Sequence, residues 1–142
     1  MRTTVGYTGG TSSSPTYDSV CSGDGHTEAL KVEYDPSVLP YEELMRTVLQ
    51  QADPDSWSVQ YQDAVWPQNE EQREIARSVA QRLGKARVPI LDATPWHDAE
   101  EYHQKVCSHD LSGAVDASAH APHMPCACCV LARARGSISP NN

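Results

Sequence analysis

A chain of 142 residues, 39% hydrophobic and 21% charged, is long enough for one domain with a core of its own, and its composition excludes collagen-like, coiled-coil and fully disordered chains. Eleven Lys and Arg against 19 Asp and Glu leave a formal charge of −8, which argues against nucleic acid and an anionic membrane surface as partners. No apolar run is long enough to span a bilayer, and Met1-Arg2-Thr3-Thr4 leads into no secretory signal, so a cytoplasmic location is expected, with any targeting peptide lying further upstream.

In chain order, Thr3-Thr4-Val5-Gly6-Tyr7 is β-branched and aromatic and breaks at Gly9-Gly10, which predicts a strand. Thr11 to Pro15 is a Ser/Thr loop. Ala29 to Tyr34 alternates and stops at Asp35-Pro36, a second strand. Pro40 to Gln51 carries Leu44, Val48 and Leu49 on one helical stripe. Gln60 to Trp66 reads as a strand ended by Pro67. Glu70 to Leu83 is the clearest helix, with Ile75, Val79 and Leu83 four apart and Gly84 as its stop. Val88 to Leu91 reads as a short strand, and Pro95 opens a helix through Ala99, Tyr102 and Val106. Beyond Ser108 the periodicity fails, so the chain divides into a domain at 1–107 and an irregular Cys- and His-containing tail at 108–142. Interleaved strands and helices predict an α/β or α+β sandwich.

The five cysteines are an odd number, with Cys126, Cys128 and Cys129 close together; without a signal peptide, redox or metal chemistry is favoured over a disulfide framework. His120, His123 and these cysteines, with His103, Cys107 and His109 upstream, offer soft ligands for Zn²⁺ or Cu⁺. Their spacing matches no standard finger, so no built metal site is expected.

Three segments recur as an ordered set. Val5-Gly6-Tyr7-Thr8-Gly9-Gly10 precedes the run from Pro15-Thr16-Tyr17 through Cys21-Ser22-Gly23-Asp24-Gly25-His26-Thr27-Glu28-Ala29. Gln60-Tyr61 with Ala64-Val65 follows, and Ala99-Glu100-Glu101-Tyr102-His103-Gln104 closes the set. In this order the chain resembles peptide methionine sulfoxide reductase A (MsrA) over residues 3–106. The resemblance implies a ferredoxin-like α+β sandwich and thiol-dependent reduction of methionine-S-sulfoxide, free or in proteins, to methionine. It implies no cofactor beyond a reductant, thioredoxin or dithiothreitol, and no metal.

A sulfoxide sulfur is a poor electrophile until its oxygen is protonated or strongly hydrogen-bonded, so the site needs an acid and donors. The resemblance gives the acid to Glu28 and the oxygen-binding phenols to Tyr17 and Tyr61. It makes Cys126, Cys128 and Cys129 candidate resolving thiols, which would attack an oxidised cysteine before the reductant acts. Cys21 matches a family cysteine other than the nucleophile; a substitute nucleophile and a small buried hydrophobe are both open readings.

The family nucleophile lies in a Gly-Cys-Phe-Trp segment at a helix N-terminus, where a thiolate is favoured. This chain contains no Phe, and Met1-Arg2-Thr3-Thr4-Val5-Gly6 corresponds to the middle of the family pattern. The expectation is therefore a family scaffold whose first strand and helix are missing, with an open interior sheet edge and absent or very weak catalysis. The chain is one residue short between Gly23 and His26, and shorter again before Gln60. In that second place the family has a supporting Asp; its position falls at Ser56, with Asp55 as a substitute only if turned inward. Two alternatives follow: a non-catalytic truncated relative, or a metal- or redox-binding tail on a degenerate scaffold.

Overall fold

The computed structural model describes residues 1–53, 55 and 58–104, and the backbone of 130–134. Strands β1 (Arg2–Thr8) and β2 (Thr27–Tyr34) pair antiparallel, from Arg2 opposite Glu33 to Thr8 opposite Thr27. Between them lies the short helix α1 (Tyr17–Cys21). Strand β3 (His97–Asp98) adds antiparallel to the free edge of β1, and β4 (Val130–Ala134) runs parallel along β2, giving the order β3-β1-β2-β4. Helices α2 (Tyr41–Gln51), α3 (Glu70–Arg82) and α4 (Glu101–Gln104) complete the described elements, with a 3₁₀ turn at Val59–Tyr61.

Side chains on a strand alternate between its two faces. On β2, Leu30, Val32 and Tyr34 face one side and pack with Leu44, Met45 and Leu49 of α2 and Ala76, Val79 and Ala80 of α3. Ala29 faces the other side and meets Ala64, Trp66 and Trp96. Glu28 shares the parity of Leu30, so it lies at the end of the apolar face, opposite Tyr7 in register.

Helix α3 is well specified at both ends. The Asn69 side chain accepts from the Gln72 N–H, Glu70 and Glu71 sit at the positive end of the dipole, and Arg82 sits at the other end. Gly84 follows at φ +69°, a conformation costly for any residue with a Cβ, and lets the Lys85 N–H reach the Ala80 carbonyl at 2.8 Å. Leu49 is fully buried at the α2–α3 seam. Leu49→Ala is expected to cost about 2–5 kcal/mol through lost burial and a residual cavity, read as a shift in the midpoint of urea unfolding.

Four expectations change. Gln60 to Trp66 is not a strand. Its first residues form the 3₁₀ turn, and Val65 makes a single parallel bridge to Ile90, with its N–H on the Pro89 carbonyl and its own carbonyl accepting from Leu91. Ala64, Val65 and Trp66 are buried because the segment is wedged between two clusters, and burial on all sides imitates a central strand in the sequence. Val88 to Leu91 is likewise reduced to that bridge. The helix expected from Pro95 starts only at Glu101, because His97 and Asp98 pair with β1 and Trp96 lies over Gly6, where a Cβ would overlap its ring. The tail expected to be irregular contributes β4, which pairs with β2 where an open edge was expected.

Where β3 ends, a side chain continues the pairing. Gln104 Oε1 accepts from the Val5 N–H at 2.9 Å, and Gln104 Nε2 donates to the Val5 and Ala99 carbonyls at 2.8 and 2.9 Å. The amide thus satisfies both backbone groups of Val5, as a neighbouring strand would.

Candidate active site

Helix α1 has only five residues, too few to hold itself by propensity, so its ends carry it. Thr16 and Ser19 form a reciprocal capping box. The Tyr17 N–H, which has no partner inside the helix, donates to Glu100 Oε1 at 2.9 Å, and Glu100 Oε2 accepts from the buried Tyr7 hydroxyl at 2.7 Å. Burial alone would push the Glu100 carboxyl up, but the donors Tyr17 N–H and Tyr7 O–H outweigh it and hold it below its ordinary value. The Tyr17 ring leans on the buried His103 ring, 4.9 Å away between centroids. The closing Ala99–Gln104 motif therefore fixes where Tyr17 stands.

The link from α1 to β2 is a tight turn with Gly23 and Gly25 at positive φ. Asp24 fastens it by accepting from the Ser19 hydroxyl at 2.6 Å and the His26 N–H at 2.9 Å, with His26 Nδ1 3.0 Å away. Burial pushes the Asp24 carboxyl up, and these hydrogen bonds more than offset it. His26 is buried with its ring against Gly10, where a Cβ would overlap it.

Glu28 follows two residues later on β2 and is 2% exposed. Its Oε1 accepts from Gln60 Nε2 at 2.7 Å. The same nitrogen lies 3.0 Å from the Tyr61 hydroxyl and 3.3 Å from Cys21 Sγ. The 3₁₀ turn that presents Gln60 and Tyr61 is tied to β2 by Thr27, whose Oγ1 donates to the Val59 carbonyl at 2.7 Å and accepts from Gln62 Nε2 at 2.8 Å.

The structure thus gathers Glu28, Tyr17 and Tyr61 into one cluster and adds Cys21 and Gln60. Hydrogen bonding to Cys21 is the main cause that pushes the Tyr17 hydroxyl up to about 12, with burial, Tyr61 and Glu28 adding to it. Burial first, then the charges of Glu28 and Cys21, raise Tyr61 above its ordinary value. Both phenols stay protonated donors at neutral pH. A buried carboxyl flanked by phenolic and amide donors is suited to hold an oxygen that gains negative charge or a proton.

Sequence reasoning missed the contacts made by Gln60 and Glu100. Gln60 and Glu100 stand inside the quoted motifs, but only geometry shows what they touch. Cys21 is exposed rather than a buried apolar filler. Asp55 is not turned toward the cluster; it pairs with Arg87. Ser56, Cys107, His109, His120, His123, Cys126, Cys128 and Cys129 lie outside the described residues. Among the described residues no group of three or more His, Cys, Asp or Glu could hold a metal ion, and no helix is long and apolar enough to cross a membrane.

The family model of peptide methionine sulfoxide reductase matches residues 1–124. Peptide methionine sulfoxide reductase MsrA of Bacillus licheniformis is 38% identical over 119 residues, covering 73% of this chain and 66% of that protein. The MsrA proteins of Escherichia coli O6:K15:H31 and Listeria monocytogenes serotype 4a are 39% and 42% identical over 121 and 114 residues. These matches cover 72% and 70% of this chain, and 57% and 64% of the relatives. The chain therefore spans just under two thirds, or less, of these three relatives. In fold it resembles methionine sulfoxide reductase A of Corynebacterium diphtheriae, with a TM-score of 0.56 at 24% identity, over 89% of this chain and 70% of that one. Sequence motifs, α+β fold and family match agree: the chain belongs to the peptide methionine sulfoxide reductase family.

Proposed function

We propose that this chain binds methionine-S-sulfoxide, free or in a peptide, with its S–O oxygen against Glu28, Tyr17 and Tyr61, as part of a thiol-dependent reduction to methionine. The observation that carries the reading is the convergence of a buried Glu28 with the Tyr61 hydroxyl on one Gln60 nitrogen, next to Tyr17 and a thiol. Glu28 is the acid that protonates the departing oxygen, and the two phenols are the donors that hold it. Gln60 donates to Glu28 when no substrate is bound, so the sulfoxide oxygen competes with that amide for the same ground.

The wider reading follows the family. The segment beyond residue 107 returns to the sheet as β4, Cys126, Cys128 and Cys129 supply resolving thiols, and thioredoxin or dithiothreitol supplies the electrons. The setting is a reducing, cytoplasmic one. The sequence contains no Gly-Cys-Phe-Trp segment, so this reading leaves the nucleophile unassigned.

The test is calorimetric titration of the chain with N-acetyl-methionine-(S)-sulfoxide amide, its (R) epimer and the thioether. Saturable binding of the (S) form, with the thioether at least several-fold weaker, is expected. Tyr17→Phe and Tyr61→Phe each remove one net hydrogen bond and should weaken binding by about 3–10-fold. Equal affinity for sulfoxide and thioether would sink the reading, because the oxygen would then contribute nothing.

A further inference from the structure

His26 takes no direct part in the oxygen site, yet it is 1% exposed and stands just ahead of β2, two residues before Glu28. Its ring is fixed from two sides. A Cβ at Gly10 would overlap it, and the His97 ring of β3 meets it edge-on, 5.7 Å away between centroids. An apolar ring of the same size would satisfy that packing. An imidazole instead leaves Nε2 buried with no hydrogen-bond partner among the described residues. What the imidazole adds is a donor, Nδ1, 3.0 Å from Asp24 Oδ1.

Asp24 passes that contact on. Its Oδ2 accepts from the Ser19 hydroxyl at 2.6 Å, and Ser19 Oγ accepts from the Thr16 N–H at 2.9 Å. Despite its burial, the donors around Asp24 keep it ionised at neutral pH, so it can only accept, and the proton shared with His26 belongs to Nδ1. The single Ser19 proton goes to the short contact with the carboxylate. An unbroken run of hydrogen bonds therefore leads from His26 through Asp24 and Ser19 to Thr16, the N-cap of α1. Glu28 lies beyond one end of this run and Tyr17 beyond the other.

We propose that His26 is a positioning residue, which through Asp24 and Ser19 sets Tyr17 against Glu28 and so governs how the site tells a sulfoxide from a thioether. The proposal rests on the reading of the site given above. Helix α1 has five residues and buries only Val20, so its direction depends on its ties. Glu100 holds the Tyr17 N–H, and the run from His26 holds the neighbouring Thr16 N–H. One tie alone would let the helix turn about it, whereas two fix where the Tyr17 hydroxyl points. A hydrogen bond to the sulfoxide oxygen needs that hydroxyl placed to within about 0.5 Å. A thioether has no such oxygen, so its binding is blind to the placement.

The experiment is calorimetric titration of the full chain with N-acetyl-methionine-(S)-sulfoxide amide and with the thioether. His26→Asn puts an amide N–H where Nδ1 stands and keeps the donor to Asp24. His26→Gln puts the amide at the Nε2 end and removes that donor, and Ser19→Ala breaks the next link. His26→Gln and Ser19→Ala should each lower sulfoxide affinity about 3–10-fold, with thioether affinity within about twofold. His26→Asn should keep the sulfoxide-to-thioether ratio of the parent. Because the two links lie on one run, the double variant His26→Gln, Ser19→Ala should lose no more than the larger single loss. Both His26 variants lose the ring and some stability, which therefore does not sort them, but discrimination does. Imidazole nitrogen NMR of the parent chain needs no variant, and is expected to place the proton on Nδ1. A proton on Nε2 instead, equal losses from His26→Asn and His26→Gln, parallel losses for sulfoxide and thioether, or additive losses in the double variant would each overturn the positioning role and leave the binding reading standing. Equal affinity of the parent chain for sulfoxide and thioether would overturn that reading itself.

Discussion

In a version of the chain extended upstream by the Gly-Cys-Phe-Trp segment, Glu28→Gln is expected to slow formation of methionine from N-acetyl-methionine-(S)-sulfoxide amide by about 10²–10⁴-fold, the usual worth of a positioned acid, while sulfoxide affinity changes only a few-fold. Tyr17 is pushed up to about 12 and Tyr61 is also raised, so both donate hydrogen bonds but hold their protons at neutral pH. Glu100 and Asp24 are held below their ordinary values by donors already bound to them, so they stay ionised and have no proton to give. Glu28 is the buried carboxyl that meets Gln60 beside the two phenols. Glutamine keeps the shape and still accepts from Gln60, so the variant separates proton delivery from binding. A single-turnover rate within about threefold of the parent would remove Glu28 from the role of acid.

How much of this was legible in the residues depended on whether one local signal decided the outcome. The second half of β2 and the helices α2 and α3 bury one face, so alternation and the 3.6-residue stripe announced them, while β1, buried from Val5 to Thr8, was announced by its β-branched and aromatic residues. Helix α1 buries only Val20 and has no stripe to read; its trace in the sequence was the Thr16-x-x-Ser19 capping pair. Gln60 to Trp66 failed as a strand because total burial, not pairing, placed its apolar residues. The motif that named Tyr17, Glu28 and Tyr61 did find side chains that meet in space, although 44 positions separate Tyr17 from Tyr61. What it could not give were the contacts that organise them. Gln60 reads as a polar residue in a loop and Glu100 as an acidic residue ahead of a helix. Only folding brings one onto β2 and the other under the N-terminus of α1.

That second contact carries the other large effect. Glu100→Gln is expected to destabilise the chain by about 1–3 kcal/mol at neutral pH, because a carboxylate that accepts from both the Tyr7 hydroxyl and the Tyr17 N–H becomes an amide with one accepting atom. One donor is then left facing an NH₂ group, and Tyr7 is only 1% exposed, so water does not replace the lost bond. His103 Nε2, 3.8 Å from Oε2, completes the groups facing this carboxylate. The pH dependence has a definite sign. A carboxyl held below its ordinary value of 4.5 contributes stability that is complete above that pH and is lost as pH falls through the lower folded value. The stability difference between parent and Glu100→Gln should therefore hold steady from pH 7 to about 5 and shrink as pH falls further. Asp24, Glu42 and Asp98 are also held low, but they are common to both chains and cancel in the difference. Paired urea titrations from pH 7 down to pH 3 measure it. A difference unchanged across that range would mean that the Glu100 charge does not hold α1 in place. The same variant should weaken sulfoxide binding, since the Tyr17 backbone is what Glu100 grips. Tyr17→Phe, which leaves that grip intact, should lose affinity without the change in stability.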